Sequence, residues 1–192
     1  MKKEEIIYFE KPGPGNTEAL ITAVKERVIE QKVTHVVVAS TRGGTALKFH
    51  NVLKETAVSL VCVGEHAGFP GGDKQLLPDK TRKELQDKGV PVLICSHALS
   101  GISRSVSKKF GGVSSVEIIA NVLRQFGGEG IKVAVEIAVM AADAGLIPTD
   151  REIIAVAGTR GGADTAIVLR AAHMNNFFDL EIREIIAKPR QR

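Results

Sequence analysis

Apolar positions along the chain fall into short runs separated by polar, glycine-rich segments, and their spacing predicts strands alternating with helices. A short strand is predicted over 6–9, followed by the turn Pro12-Gly13-Pro14-Gly15 and a helix capped at Asn16 or Thr17. Leu20, Val24 and Val28 recur every four residues, so that helix buries one stripe and ends near Gln31. Strands follow over 35–40, 59–63, 90–95 and 153–157, with helices after the first and over 79–88. The segment 96–112 has no clear period and reads as a functional loop. Val116, Ile119, Ala120 and Leu123 define an amphipathic helix ending at Gly127-Gly128, and 131–144 is apolar almost all round apart from Lys132, Glu136 and Asp143. After 157 a further helix is predicted to run to about Met174, and 180–187 closes the chain as an edge strand that Pro189 terminates. This alternation predicts one three-layer α/β domain over 1–192: a mostly parallel sheet with helices on both faces and a short N-terminal strand.

The tetrapeptide Thr-Arg-Gly-Gly occurs twice, as Thr41-Arg42-Gly43-Gly44 and Thr159-Arg160-Gly161-Gly162, each after a strand-like run and before a helix-like segment. At a strand-to-helix turn, unpaired N–H groups and the helix dipole attract an anion, and Ser, Thr and Arg side chains add donors. A capped glycine turn with no ligand has the same sequence form.

Composition adds bounds. The 192 residues are 44% apolar and 25% charged, with a net charge of +4, as expected of one folded domain. The positive charge gathers partly in the tail 188–192, and with no Trp and one Tyr there are few platforms for stacking bases, so nucleic acid is not an expected partner. Cys62 and Cys95 sit in apolar strand-like runs and read as buried thiols, and neither Cys-x-x-Cys nor His-x-x-x-His occurs, so no metal is expected. The N-terminal residues lack a secretion-signal pattern and no run reaches membrane-spanning length, so a cytoplasmic protein without a membrane partner is expected.

Several further stretches, in one order, carry a resemblance: Tyr8-Phe9-Glu10, His66-Ala67-Gly68-Phe69, Ser96-His97-Ala98-Leu99-Ser100-Gly101, Phe110-Gly111-Gly112, Val135-Glu136-Ile137-Ala138, the run 141–148, and Gly162-Ala163-Asp164-Thr165-Ala166. Through them the chain resembles stand-alone proteins similar to the C-terminal, alpha/beta domain of pyruvate kinase. The resemblance implies a five-stranded sheet of order 3-2-1-4-5, in which strands 35–40 and 153–157 are neighbours and the two motifs flank the reversal of strand order. In pyruvate kinase that region holds the phosphates of a sugar-bisphosphate effector. Stand-alone relatives imply flavin mononucleotide (FMN) as the cofactor. The sequence holds no counterpart of the catalytic barrel, so pyruvate kinase activity is not expected.

The expected cofactor contacts are Ser40, Thr41, Arg42, Gly43, Gly44 and Thr45 in the first loop, and Thr159, Arg160, Gly161, Gly162 and Asp164 in the second. His66, Gly68 and Phe69, with Ser96 and His97, also follow strands and could reach a ring system across the same edge. Glu136 and Asp143 lie nearly two helical turns apart, as a solvent-facing stripe or a carboxylate pair lining the cleft. Three functions stay open: a binder of FMN or a similar small phosphorylated ligand, a non-catalytic sensor of a phosphorylated metabolite, and a flavin enzyme using His66, His97 or Glu136 for proton transfer. No motif names a reaction, so catalytic residues stay unknown. A homo-oligomer is a further expectation, because pyruvate kinase C-terminal domains pair and the apolar segment 131–144 could be covered by a partner.

Overall fold

The computed structural model describes residues 3–191. Seven strands form one sheet: β1 (Ile7–Phe9), β2 (His35–Ala39), β3 (Ser59–Gly64), β4 (Val92–Ile94), β5 (Glu152–Ala157), β6 (Thr165–Arg170) and β7 (Glu181–Pro189). Their order is β1-β7-β6-β5-β2-β3-β4. β2 pairs in parallel with both β3 and β5, with Val36 opposite Leu60 on one side and Ile154 on the other. Strand order therefore reverses between β2 and β5, where open α/β sheets leave a crevice.

The helices are α1 (Thr17–Gln31), α2 (Gly44–Leu53), α3 (Asp79–Asp87), α4 (Gly101–Phe110) and α5 (Ser115–Asp143). Alternate strand residues point to opposite faces, and two cores follow from that alternation. On one face Val36, Val38, Ile154 and Val156 pack with Leu20 and Val24 of α1, Phe49 of α2 and Leu85 of α3. On the other, Val37, Val61, Ile153 and Ala155 pack with Ala134, Val135, Ala138 and Ala141 of α5. The expected α/β class with helices on both faces is therefore present, and its apolar segment 131–144 is covered by the chain's own sheet. Among the described residues no helix is long and apolar enough to cross a membrane.

Four expectations are corrected. The sheet has seven strands rather than five and a short N-terminal one, and although β4-β3-β2-β5 follow the expected sequence of neighbours, the other half differs. After the second Thr-Arg-Gly-Gly the chain forms β6, antiparallel to β5, instead of a helix. Residues from Thr165 to Leu169 are all buried, so the run carries no alternation that could distinguish a strand from a buried helix. α5 crosses β6 so closely that a Cβ at Gly130 would overlap Thr165. The closing strand β7 is internal, between β6 and β1, and Pro189 does not stop pairing: it lies opposite Phe9, and Arg190 N donates to Phe9 O at 2.8 Å. Finally, most of the segment read as a loop over 96–112 is the helix α4. None of its residues is buried, so its outward apolar positions have no matching inner stripe.

α5 starts with a capping box: Ser114 Oγ accepts from Glu117 N, and the Glu117 carboxylate accepts from Ser114 N. It breaks at Gly127 and Gly128, whose φ of −173° and +71° interrupt the helix where the sequence placed a boundary.

Candidate functional site

An open cleft with a cavity volume of about 100 Å³ lies at the carboxyl ends of β2 and β3. Ser40 and Thr41 form one side, Glu65 and Phe69 come from the loop after β3, and His97 from the loop after β4. Arg104 reaches it from α4, while Glu129, Lys132 and Glu136 supply the α5 side.

The first Thr-Arg-Gly-Gly builds the start of α2. Gly43 has φ +82°, a conformation that favours glycine, and any side chain there would collide with Thr81 and Leu77. Its N–H donates to Ser40 O at 3.2 Å, and Ser40 Oγ accepts from Ala46 N at 3.2 Å. The Gly44 and Thr45 amides belong to the first turn, which has no preceding carbonyls to pair with. The loop thus brings the hydroxyl-bearing Ser40 and Thr41 to the cleft, with the first-turn donors of Gly44 and Thr45 next in the chain but outside its lining. Arg42 points into solvent and does not line the cleft.

The second motif is different. Thr159 to Gly162 form the tip of the β5–β6 hairpin, with Arg160, Gly161 and Gly162 all at positive φ (56°, 101° and 66°). The amide that opens it, Thr159 N, and the one that follows it, Ala163 N, have side-chain partners inside the chain. Asp164, fully buried, accepts from Thr159 N at 3.1 Å, from Gly13 N at 2.9 Å and from Thr165 Oγ1 at 2.8 Å. Thr17 Oγ1 accepts from Ala163 N at 2.9 Å and donates to Pro14 O at 2.8 Å. An internal carboxylate and hydroxyl fill the positions offered to an anion, clasping the turn before α1 to the hairpin. None of the second-loop residues Thr159, Arg160, Gly161, Gly162 or Asp164 lines the cleft.

Three rings stand together beside the cleft, and two of them, Phe69 and His97, line it. His66, Phe69 and His97 have centroids 4.8–5.6 Å apart, in tilted or edge-on contacts. His66 Nδ1 lies 2.7 Å from Ala67 O and so carries the proton, while His97 Nε2 lies 3.0 Å from Glu65 Oε2. Gly68, at φ +79°, makes the turn that presents Phe69, and its N–H donates to Lys74 O at 2.9 Å. Ser96 is exposed and lines none of it.

At the α5 side Lys132 and Glu136, each 3% exposed, pair at 2.6 Å, and Glu136 Oε1 also accepts from Leu99 N at 2.8 Å. Asp143 is not part of this arrangement: it accepts from Met174 N at 3.0 Å at the far end of the helix. Glu136 therefore faces the cleft without the second carboxylate that its spacing suggested. Glu129 pairs with Arg124, whose Nε lies 2.6 Å from Oε2. Among the described residues the Arg104 guanidinium lies within ion-pair distance of no carboxylate, although its charge acts on Glu117 and Glu129 nearby. Burial pushes the Cys62 thiol up to about 12, so it belongs to the core and not to the chemistry.

Lys132, Glu129 and Glu65 were missed as site residues from sequence alone. One signal was present for the first: a Lys–Glu pair at i, i+4 inside a helix otherwise apolar all round is a buried pair or a cleft lining. Of the residues expected at the site, Ser40, Thr41, Phe69 and His97 converge on the cleft. Gly43, Gly44, Thr45, His66 and Gly68 neighbour these residues in the chain but do not line the cleft. The family model described as "Pyruvate kinase, alpha/beta domain" matches residues 18–169 of this chain.

Proposed function

We propose that this chain, which belongs to the pyruvate kinase alpha/beta-domain family, binds a small phosphorylated ligand in the cleft at the ends of β2 and β3, with FMN as that ligand. The observation that carries the reading is the convergence, beside the reversal of strand order, of Ser40 and Thr41 just before α2, Arg104, and the rings of Phe69 and His97. A phosphate suits the amides of Gly44 and Thr45 with the hydroxyls of Ser40 and Thr41, and Arg104 offers a planar fork for its oxygens. Phe69 and His97 suit a flat ring system. The donor set suits a phosphate, and the cavity of about 100 Å³ suits that group alone, so the ring system would lie across the open mouth beside Phe69 and His97. A bound flavin supplies hydride and electron transfer. His97, beside Glu65, is the side chain placed to hold or move a proton there.

The test compares FMN with riboflavin, which lacks the phosphate, by flavin fluorescence titration of the purified protein. FMN is expected to bind at least about tenfold more tightly, and Arg104→Ala to remove most of that difference. Equal affinities would refute the phosphate site, and no binding of either would refute the flavin.

A second reading, a non-catalytic sensor of phosphorylated metabolites, is favoured by the internal pairing of the cleft's other charged groups: Lys132 with Glu136, Glu129 with Arg124, Glu65 with His97. Thermal stabilisation by sugar phosphates in the absence of flavin affinity would select it.

A further inference from the structure

The inner faces of α4 and of the first half of α5 have partners, but their outer faces do not. Val116, Ile119 and Leu123 pack on the core, and Ser107 Oγ donates to Glu117 Oε2 at 2.6 Å, tying the two helices together. On the outside, Ile102, Val106 and Phe110 recur every four residues along α4, and Ile118, Val122 and Phe126 do the same along α5. Val113 lies on the link between them. All seven are exposed, Ile102 by 84%, Phe110 by 78% and Phe126 by 64%. A stripe at i, i+4 and i+8 is the face one helix presents to another.

At roughly 100 Å² of apolar surface for each such side chain, the seven expose about 700 Å², above the largest patch of a typical monomer at about 300–600 Å². Two copies meeting through this surface would bury about 1,400 Å², within the roughly 1,200–2,000 Å² of stable interfaces. The two helices carry charges of both signs, Arg104, Lys108 and Lys109 on α4 and Glu117, Arg124 and Glu129 on α5, of which Arg124 and Glu129 pair within the chain. A self-complementary two-fold contact needs both signs, whereas an anionic lipid surface selects cations alone.

We infer that the outer faces of α4 and of the first half of α5 join two copies of the chain in a two-fold dimer. Each copy contributes a pair of tethered helices, and the two pairs form a four-helix layer. Because Arg104 sits on α4, pairing also fixes one wall of the cleft.

Sedimentation velocity of the full chain tests this directly. A species of about 41 kDa, twice the 20.5 kDa chain, is expected at micromolar concentration. Phe110→Ala is expected to weaken association about 30-fold, and Ile102→Lys combined with Phe126→Glu to give a monomer with unchanged far-UV circular dichroism. A wild-type monomer up to about 100 μM would overturn the proposal. So would a dimer indifferent to these substitutions, or a monomer that co-sediments with phosphatidylserine vesicles.

Discussion

The buried pair Lys132–Glu136 offers the sharpest test of how the cleft side of α5 is held. Both side chains are 3% exposed and 2.6 Å apart, so solvent screens neither. Lys132→Met leaves Glu136 without a counter-charge, and Glu136→Gln strands the Lys132 ammonium while still accepting from Leu99 N. Breaking a buried pair in this way costs about 3–5 kcal/mol, because one charge stays in a medium that solvates it poorly. For a domain of this size a urea slope of about 2–3 kcal/mol per molar turns that loss into a midpoint shift of about 1–2 M. The double variant Lys132→Met with Glu136→Gln carries no buried charge and retains the acceptor for Leu99, so it is expected within about 1 kcal/mol of wild type. Equilibrium urea unfolding of the four proteins gives the coupling from a double-mutant cycle. Single losses below about 1 kcal/mol, or a double variant as unstable as the two losses added, would refute the burial argument.

Two further outcomes follow from the hydrogen-bond pattern. Asp164→Ala leaves Gly13 N, Thr159 N and Thr165 Oγ1 without their acceptor; an overall loss of about 3 kcal/mol or more is expected, with amide exchange rising first at Gly13 and Thr159. The Ser107 hydroxyl, then the Ser114 amide, hold the Glu117 carboxyl below its ordinary range. A carboxyl lowered in the folded state stabilises where it is ionised. The Ser114–Glu117 capping box should therefore be intact above the ordinary carboxylate range and loosen as pH falls below it, read by amide exchange at Ser114, and Ser107→Ala should shift that loss to higher pH.

How much was legible in the sequence depends on whether a residue's partners are near in the chain. β2, β3, α1 and the first half of α5 announce themselves because their apolar spacing is set by the face they bury. β6 does not, since a strand buried on both sides looks like any apolar run, and α4 does not, since its apolar stripe faces outward. The two Thr-Arg-Gly-Gly copies are equivalent as text. They part company because Asp164 lies close behind the second copy and Thr17, far off in the chain, folds against it. Nothing local to the first copy reveals that Lys132, Glu136 and Arg104 will close the other side of its cleft. Those contacts depend on how α4 and α5 cross the sheet.

The parallel pairing of β1 with β7 has a consequence for synthesis. Ile7 lies opposite Ala187, 180 residues further along, so the first strand emerges with no neighbour to pair with. At about 5–20 residues per second, it waits roughly 9–36 s for its partner. Until then the core around β2 and β3 can gather without it, while the β7 edge of the sheet stays unfinished. Ribosome-bound intermediates shorter than β7 should therefore leave 7–9 open to proteolysis, and closure of this edge should be the last step by which the newborn chain becomes protected.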